Sequence, residues 1–153
     1  MDKPWKTVAE LLGSRRDVFR IAPDESVLSA LEKFAEKDIG ALMVCNGDSL
    51  VGIISERDCT RKVELLGRTA RDTKVQDIMT VDVRYVTLSH TVNQCAALMK
   101  RHRLRHLPVV QDGRVVSVLS NRDVVEEMIA EEEHLIHDLE LDHLMMTTNT
   151  GTY

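Results

Sequence analysis

Aromatic side chains are almost missing from this chain: Phe, Tyr and Trp together supply 3% of its residues. Val, Ile, Leu and Met must therefore fill any core, which favours short β-branched strands and aliphatic helix stripes. Cysteine is as sparse. Cys45, Cys59 and Cys95 are odd in number, far apart and without a C-x-x-C pair, so neither a disulfide framework nor a zinc knuckle is expected. An excess of positive charge is lacking too, with 20 Lys and Arg against 25 Asp and Glu and a net charge of −5. General affinity for nucleic acid, which needs basic groups to displace phosphate counterions, is thereby excluded. No run approaches ~18 apolar residues, and residues 1–6 lead into no apolar signal segment. The expectation is a soluble, cytoplasmic protein with no membrane partner. No glycine-rich phosphate loop, activated nucleophile or carboxylate pair at catalytic spacing is found, so no enzyme is expected.

What the chain does have is an internal repeat. Sliding it by 65 residues aligns 18–63 with 83–128 without a gap. Val18/Val83, Val27/Val92, Leu42/Leu107, Val44/Val109, Val51/Val116, Ser55/Ser120, Arg57/Arg122 and Asp58/Asp123 are then identical. Ile21/Val86, Ser26/Thr91, Ile39/Leu104, Ile53/Val118 and Ile54/Leu119 keep the apolar and capping pattern between them. A lead-in repeats with a two-residue shift, Val8 to Leu12 beside Val75 to Met79. The chain is a duplication.

Each copy reads as β-α-β-β-α. A strand at Val18–Ala22 or Val83–Thr87 precedes Ser26 or Thr91, both good N-caps. The stripe Val27, Ala30, Leu31, Phe34 returns as Val92, Cys95, Ala96, Met99, at the i, i+3, i+4, i+7 spacing of a buried helix face. Two apolar runs follow in each copy, separated by Asn46-Gly47 in one and Asp112-Gly113 in the other, which are hairpin signals. A further helix opens after Ser55 and after Ser120. Units this small cannot cover their own sheet faces, so the fold expected is α/β (α+β), a tandem pair packed sheet to sheet with pseudo-two-fold symmetry. The first repeat with its lead-in is placed at 7–67, a polar linker at 68–74, the second repeat at 75–141 and a flexible tail at 142–153.

The stretch 51–58 (VGIISERD) recurs as 116–123 (VSVLSNRD). Ser-x-x-Asp at a strand-to-helix junction is close to a capping box, and that reading alone explains the pattern. A second reading is compatible with it. A helix N-terminus is an anion site, a hydroxyl and a carboxylate together suit a ribose diol, and the Arg between them can pair with phosphate.

With the strand at 105–110 (RHLPVV) and the lead-in at 75–80 (VQDIMT), these turns resemble the CBS domain, named for cystathionine β-synthase and found also in IMP dehydrogenase. The resemblance spans about 7–140 and is nearest to bacterial CBS pairs that carry no attached enzyme. It implies two clefts between paired sheets, adenosine ligands such as AMP, ADP, ATP, a dinucleotide or S-adenosylmethionine, and a homodimer. Asp58 and Asp123 match the family's ribose-binding acid, Ser55 and Ser120 the hydroxyl beside it, and Arg57 and Arg122 a phosphate partner. Ile39, Gly40 and Ala41, with Leu104, Arg105 and His106, match the backbone that edges adenine. Pro108 lies further along the same strand, and Thr87 matches a hydroxyl at the first strand's end. The chain departs from the pattern at Ala22, opposite Thr87, and at Ser117, opposite Gly52, where the family prefers glycine. The second copy, richer in polar groups, is expected to hold the ligand.

No metal site is expected from His102, His106, His134 or His137, and the acidic run Glu126–Glu133 reads as a solvated helix face. Three functions remain open: a regulatory module sensing an adenosine nucleotide for an unknown regulated partner, with no cofactor required; a ligand-free dimer serving as an interaction scaffold; and a metal or redox protein. Stripes at Val63, Leu65 and Leu66 and at Val124, Val125, Met128, Leu135, Ile136 and Leu139 point to helices that build a homodimer interface.

Overall fold

The computed structural model describes the backbone of residues 4–146 and the side chains of residues 4–133. Helix α1 (Val8–Leu12) precedes the first copy, which comprises β1 (Arg20–Ile21), α2 (Val27–Lys37), β2 (Ala41–Asn46), β3 (Ser49–Ser55) and α3 (Glu56–Cys59). A π-helical turn at Thr60–Glu64 extends α3. After α4 (Val75–Ile78) the second copy runs through α5 (Val92–His102), β4 (His106–Gln111), β5 (Arg114–Ser120) and α6 (Asn121–Met146). The last helix thus continues past the expected repeat boundary at 141. Residues 147–153 of the expected tail lie outside the described residues, as do the side chains of Leu135, Ile136 and Leu139.

The duplication extends to fine detail of the backbone. Both α2 and α5 stop at a left-handed residue, Asp38 (φ 53°) and Arg103 (φ 54°), which aligns under the 65-residue shift. Both hairpins carry a register shift at one place, between Val44 and Cys45 and between Val109 and Val110. The turns differ. In the second hairpin Asp112 and Gly113 both have positive φ, whereas in the first only Gly47 does, with Gly47-Asp48 at the centre. The Asn-Gly pair of the sequence therefore straddles the turn rather than forming it.

The first strands differ as well. β1 pairs parallel with β2, Arg20 beside Met43 and Ile21 beside Val44, and the Met43 N–H donates to the Phe19 carbonyl at 3.0 Å. The strand expected at Val83–Thr87 shrinks to one bridge, Val86 beside Val109. Pro108 stands where the first copy has Met43, and proline has no N–H to give to that neighbour.

Each core is closed by the other copy's lead-in. Val8 and Leu12 of α1 lie in the second copy's core with Val86, Val92, Cys95, Met99, Leu107 and Leu119. Val75 and Ile78 of α4 lie in the first copy's core with Ile21, Phe34, Leu42 and Ile54. The hydrogen bonds match one for one: Val8 N–H to His90 O and Val75 N–H to Glu25 O, Val92 N–H to Lys6 O and Val27 N–H to Thr73 O. The stretch expected as linker is docked by the same contacts, with Thr73 buried and Ala70 against the first core. A third apolar layer, built on Met43, Cys45 and Val115, lies between the two sheets.

One position breaks the symmetry inside this packing. A Cβ on Gly52 would stand 2.7 Å from Met79 Sδ and 2.9 Å from the Thr80 carbonyl, because Thr80 is held beside the strand by an isolated antiparallel bridge to Ile53. At the matching site Ser117 is fully buried, and its hydroxyl has no hydrogen-bond partner among the described residues. The dimer stripes also divide. Val63 and Val124 are buried in their own copies, so they face no partner, while Leu65, Leu66, Val125 and Ile129 stay exposed.

Gly52→Ala should cost about 1–3 kcal/mol by overpacking, lowering the melting temperature by several degrees. Ser117→Ala, which removes a buried unpaired hydroxyl, should be neutral or stabilising. Scanning calorimetry of both variants checks the pair. The thiols give a second test. Burial pushes Cys45 up and holds both Cys59 and Cys95 at about 11. The folded protein at pH 8 should therefore leave its thiols unreacted with a disulfide reagent, while guanidinium exposes three.

Candidate functional site

Strands β3 and β5 end at Ser55 and Ser120, and a helix starts from each. In the first copy Asp58 N–H donates to Ser55 Oγ at 3.2 Å while Ser55 N–H donates to Asp58 Oδ2 at 3.0 Å. In the second Asp123 N–H donates to Ser120 Oγ at 3.1 Å and Ser120 N–H to Asp123 Oδ2 at 2.9 Å. Both turns are capping boxes, as the sequence allows. Each also rests on the strand next to it, through Glu56 N–H to the Gly40 carbonyl and Asn121 N–H to the Arg105 carbonyl.

The cations beside the two acids come from different places. Lys62 lies one turn beyond Asp58 and sets Nζ 3.1 Å from Asp58 Oδ1, held also by the Ile78 carbonyl at 2.9 Å. Both oxygens of Asp58 are thus engaged, Oδ2 by the Ser55 hydroxyl as well. The position matching Lys62 is Glu127, which pairs instead with Lys6 at 3.0 Å. Asp123 receives Arg15 from the loop after α1, with Nη2 3.3 Å from Oδ2. Among the described residues Asp123 Oδ1 takes no hydrogen bond or ion pair.

Asp123 opens onto a cleft of about 480 Å³ lined by both copies. Asp17, Phe19 and the strand start Ile39-Gly40-Ala41 form the first-copy side; His106, Val118, Ser120 and Arg122 face them, with Arg15 at one end. Burial pushes the Asp123 carboxyl up, but hydrogen bonds from Ser120 and from Arg15 outweigh it and hold the group below its ordinary value. It is a carboxylate at neutral pH. His106 is pushed down by burial and by Arg105, against the pull of Asp123, so its ring stays neutral there.

The structure therefore brings together Ile39, Gly40, Ala41, His106, Ser120, Arg122 and Asp123, which the sequence divides between two copies. Ser55, Arg57 and Asp58 belong to the other turn. Pro108 is buried in β4, Arg105 is exposed, and Thr87 is tied into a local turn, its hydroxyl 2.9 Å from both Ser89 Oγ and His90 Nδ1. Arg122 is 84% exposed and bonded through Nε to Glu126 at 2.9 Å. Sequence reasoning missed Arg15, Asp17 and Phe19. A signal existed, since Asp17 and Asp82 match one residue ahead of the aligned block. Among the described residues no group of His, Cys, Asp or Glu suited to a metal is gathered, and no helix is long and apolar enough to cross a membrane.

The chain is similar to known proteins in both sequence and fold. A 113-residue stretch is 35% identical to the mitochondrial CBS domain-containing protein CBSX3 of Arabidopsis thaliana, covering 71% of this chain and 55% of that protein's length. The structure of a candidate signal-transduction protein with CBS domains from Burkholderia ambifaria superposes with a TM-score of 0.79 and 42% identity, covering 82% of this chain and 95% of that one. The structure of CBSX2 in complex with AMP superposes with a TM-score of 0.71 and 25% identity, covering 82% and 97%. The CBS domain family model matches residues 8–65 and again 75–130, one match for each copy of the repeat. The chain belongs to the CBS-domain family.

Proposed function

We propose that this CBS pair is a regulatory module that binds an adenosine nucleotide in the cleft at Asp123. The observation that carries the reading is a carboxylate held by one oxygen, with the other unengaged among the described residues, in a cleft whose walls include Phe19, Ile39 and Val118. A volume of about 480 Å³ lies within the ~300–1,000 Å³ usual for small-ligand sites. The ribose diol would donate to Asp123, and the apolar walls would receive the adenine, edged by the backbone of Ile39 to Ala41. The AMP complex of CBSX2 supports the ligand class. At the other turn Lys62 already satisfies Asp58, which favours a capping role there. The scaffold alternative is favoured by the exposed Leu65 (74%), Leu66 (64%), Val125 (42%) and Ile129 (48%), at the ends of both copies, which suit a homodimer contact.

Asp123→Asn keeps an acceptor for the Ser120 N–H but loses the charge. It should weaken AMP binding about ten- to a hundred-fold, the ~1.5–3 kcal/mol of a charge-assisted hydrogen bond. Asp58→Asn should change it by less than about threefold. Calorimetric titration decides, and equal small effects at both positions would remove the nucleotide from the Asp123 cleft. For the dimer, sedimentation equilibrium should give twice the 17.3 kDa chain mass. Leu66→Asp with Ile129→Asp should return the single-chain mass.

A further inference from the structure

Resting on the adenosine reading, we infer that Arg15, rather than Arg122, reads the phosphate of the bound ligand and leaves Asp123 to the ribose. Four observations lead to it. Arg15 lines the cleft together with Asp123, and the same two residues also line a second, smaller recess of about 190 Å³ with Leu11, Glu126 and Glu127. Of its five N–H donors, Nη2 alone is engaged among the described residues, at 3.3 Å from Asp123 Oδ2 and 3.5 Å from the Val118 carbonyl. Both distances are long for a charged donor, whose bonds settle nearer 2.7–2.9 Å. The guanidinium is therefore loosely tethered beside the acid it neutralises.

Arg122 is the alternative cation on the cleft wall, and its environment is the reverse. Its Nε is bonded to Glu126 at 2.9 Å one helical turn on, and its side chain is 84% exposed. A phosphate meeting it would compete with Glu126 and with bulk water, where a single exposed pair contributes little. Acids also line the spaces around Arg15, but among the described residues its guanidinium is paired only with Asp123. When a ribose diol donates to Asp123, the carboxylate gains neutral partners and still carries its charge, so Arg15 can remain close to it. A planar fork with spare donors can then hold a phosphate in two-point contact without giving up that neighbour.

The loop that carries Arg15 makes the contact specific to one cleft. It joins α1, fixed in the second copy's core, to β1 in the first copy's sheet. The residue matching Arg15 under the 65-residue shift is Thr80, whose backbone is committed to Ile53 in both directions, N–H to O at 2.9 Å and O from N–H at 3.0 Å. Among the described residues the cation paired with Asp58 is thus Lys62, from just beyond its own helix rather than from the loop. Asp17 and Asp38 share the cleft with Arg15 and would repel further phosphates, which sets the preference at a monophosphate.

The test is calorimetric titration of adenosine, AMP and ATP into the full chain and into Arg15→Gln, Arg15→Lys and Arg122→Gln. The wild type should prefer AMP over adenosine, and over ATP. Arg15→Gln should cut the AMP-to-adenosine affinity ratio by about tenfold or more while leaving adenosine within about twofold. Arg15→Lys should restore part of the ratio, and Arg122→Gln should leave it unchanged. A purely structural role for Arg15 would weaken adenosine and AMP alike. That result, an unchanged ratio in Arg15→Gln, or a ratio lost in Arg122→Gln overturns the assignment while the adenosine site stands. A wild type that binds neither adenosine nor AMP overturns the adenosine reading and this assignment with it.

Discussion

The exchange of lead-in helices is the constraint from which the rest of the molecule follows. A five-element copy with few aromatics cannot close its own apolar face, and here neither copy attempts to. Val8 and Leu12 cover the second core, and Val75 and Ile78 cover the first. The exchange fixes the two copies at a set angle, brings the two sheets face to face over Met43, Cys45 and Val115, and obliges the loop after α1 to pass from one copy to the other. That loop carries Arg15, Asp17 and Phe19 to the cleft. The site is a product of the crossing as much as of the motif.

At each strand-to-helix turn one set of atoms serves two ends. Ser and Asp close a capping box, and the box in turn aims the carboxylate. The structural and the ligand-binding readings of the motif therefore do not compete for residues. What separates the two turns is where the neighbouring cation originates. Lys62, on the same helix as Asp58, satisfies it from behind, whereas the acid Glu127 at the matching place leaves Asp123 to a cation from the loop. A lysine in a π-helical turn at one place and a glutamate in a regular α-helix at the other thus give the two turns different chemistry.

The repeat, the order of its elements, the buried stripes of α2 and α5, and both hairpins were legible in the sequence because each depends on neighbours a few residues apart. Ser55, Asp58, Ser120 and Asp123 were legible for the same reason. The pairing of Ile39, Gly40 and Ala41 with Ser120 and Asp123 was not, since it depends on how the copies cross. Nor was Arg15, whose partner is 108 residues away. Ser117 was visible only as a departure from glycine, and its mate Gly52 shows a physical reason for glycine in the first copy: the close approach of Met79 and Thr80. Lys62 carried no signal, because a lysine four residues after an aspartate on a helix is ordinary surface patterning.

Pro108 has a consequence for how the molecule opens. In the first copy β1 is zipped to β2 at two paired positions, while the matching segment of the second copy is stitched at Val86 alone, by its N–H to Pro108 O and its carbonyl from Val110 N–H. Amide protection depends on how many such bonds must break together. The segment around Tyr85 is held to β4 by fewer ladder positions, and its anchor is the Val86 side chain, buried in the second core beside Val8 and Leu12. Two copies of one motif, alike in trace, thus differ in how much of the first strand's hold is backbone pairing and how much is side-chain burial.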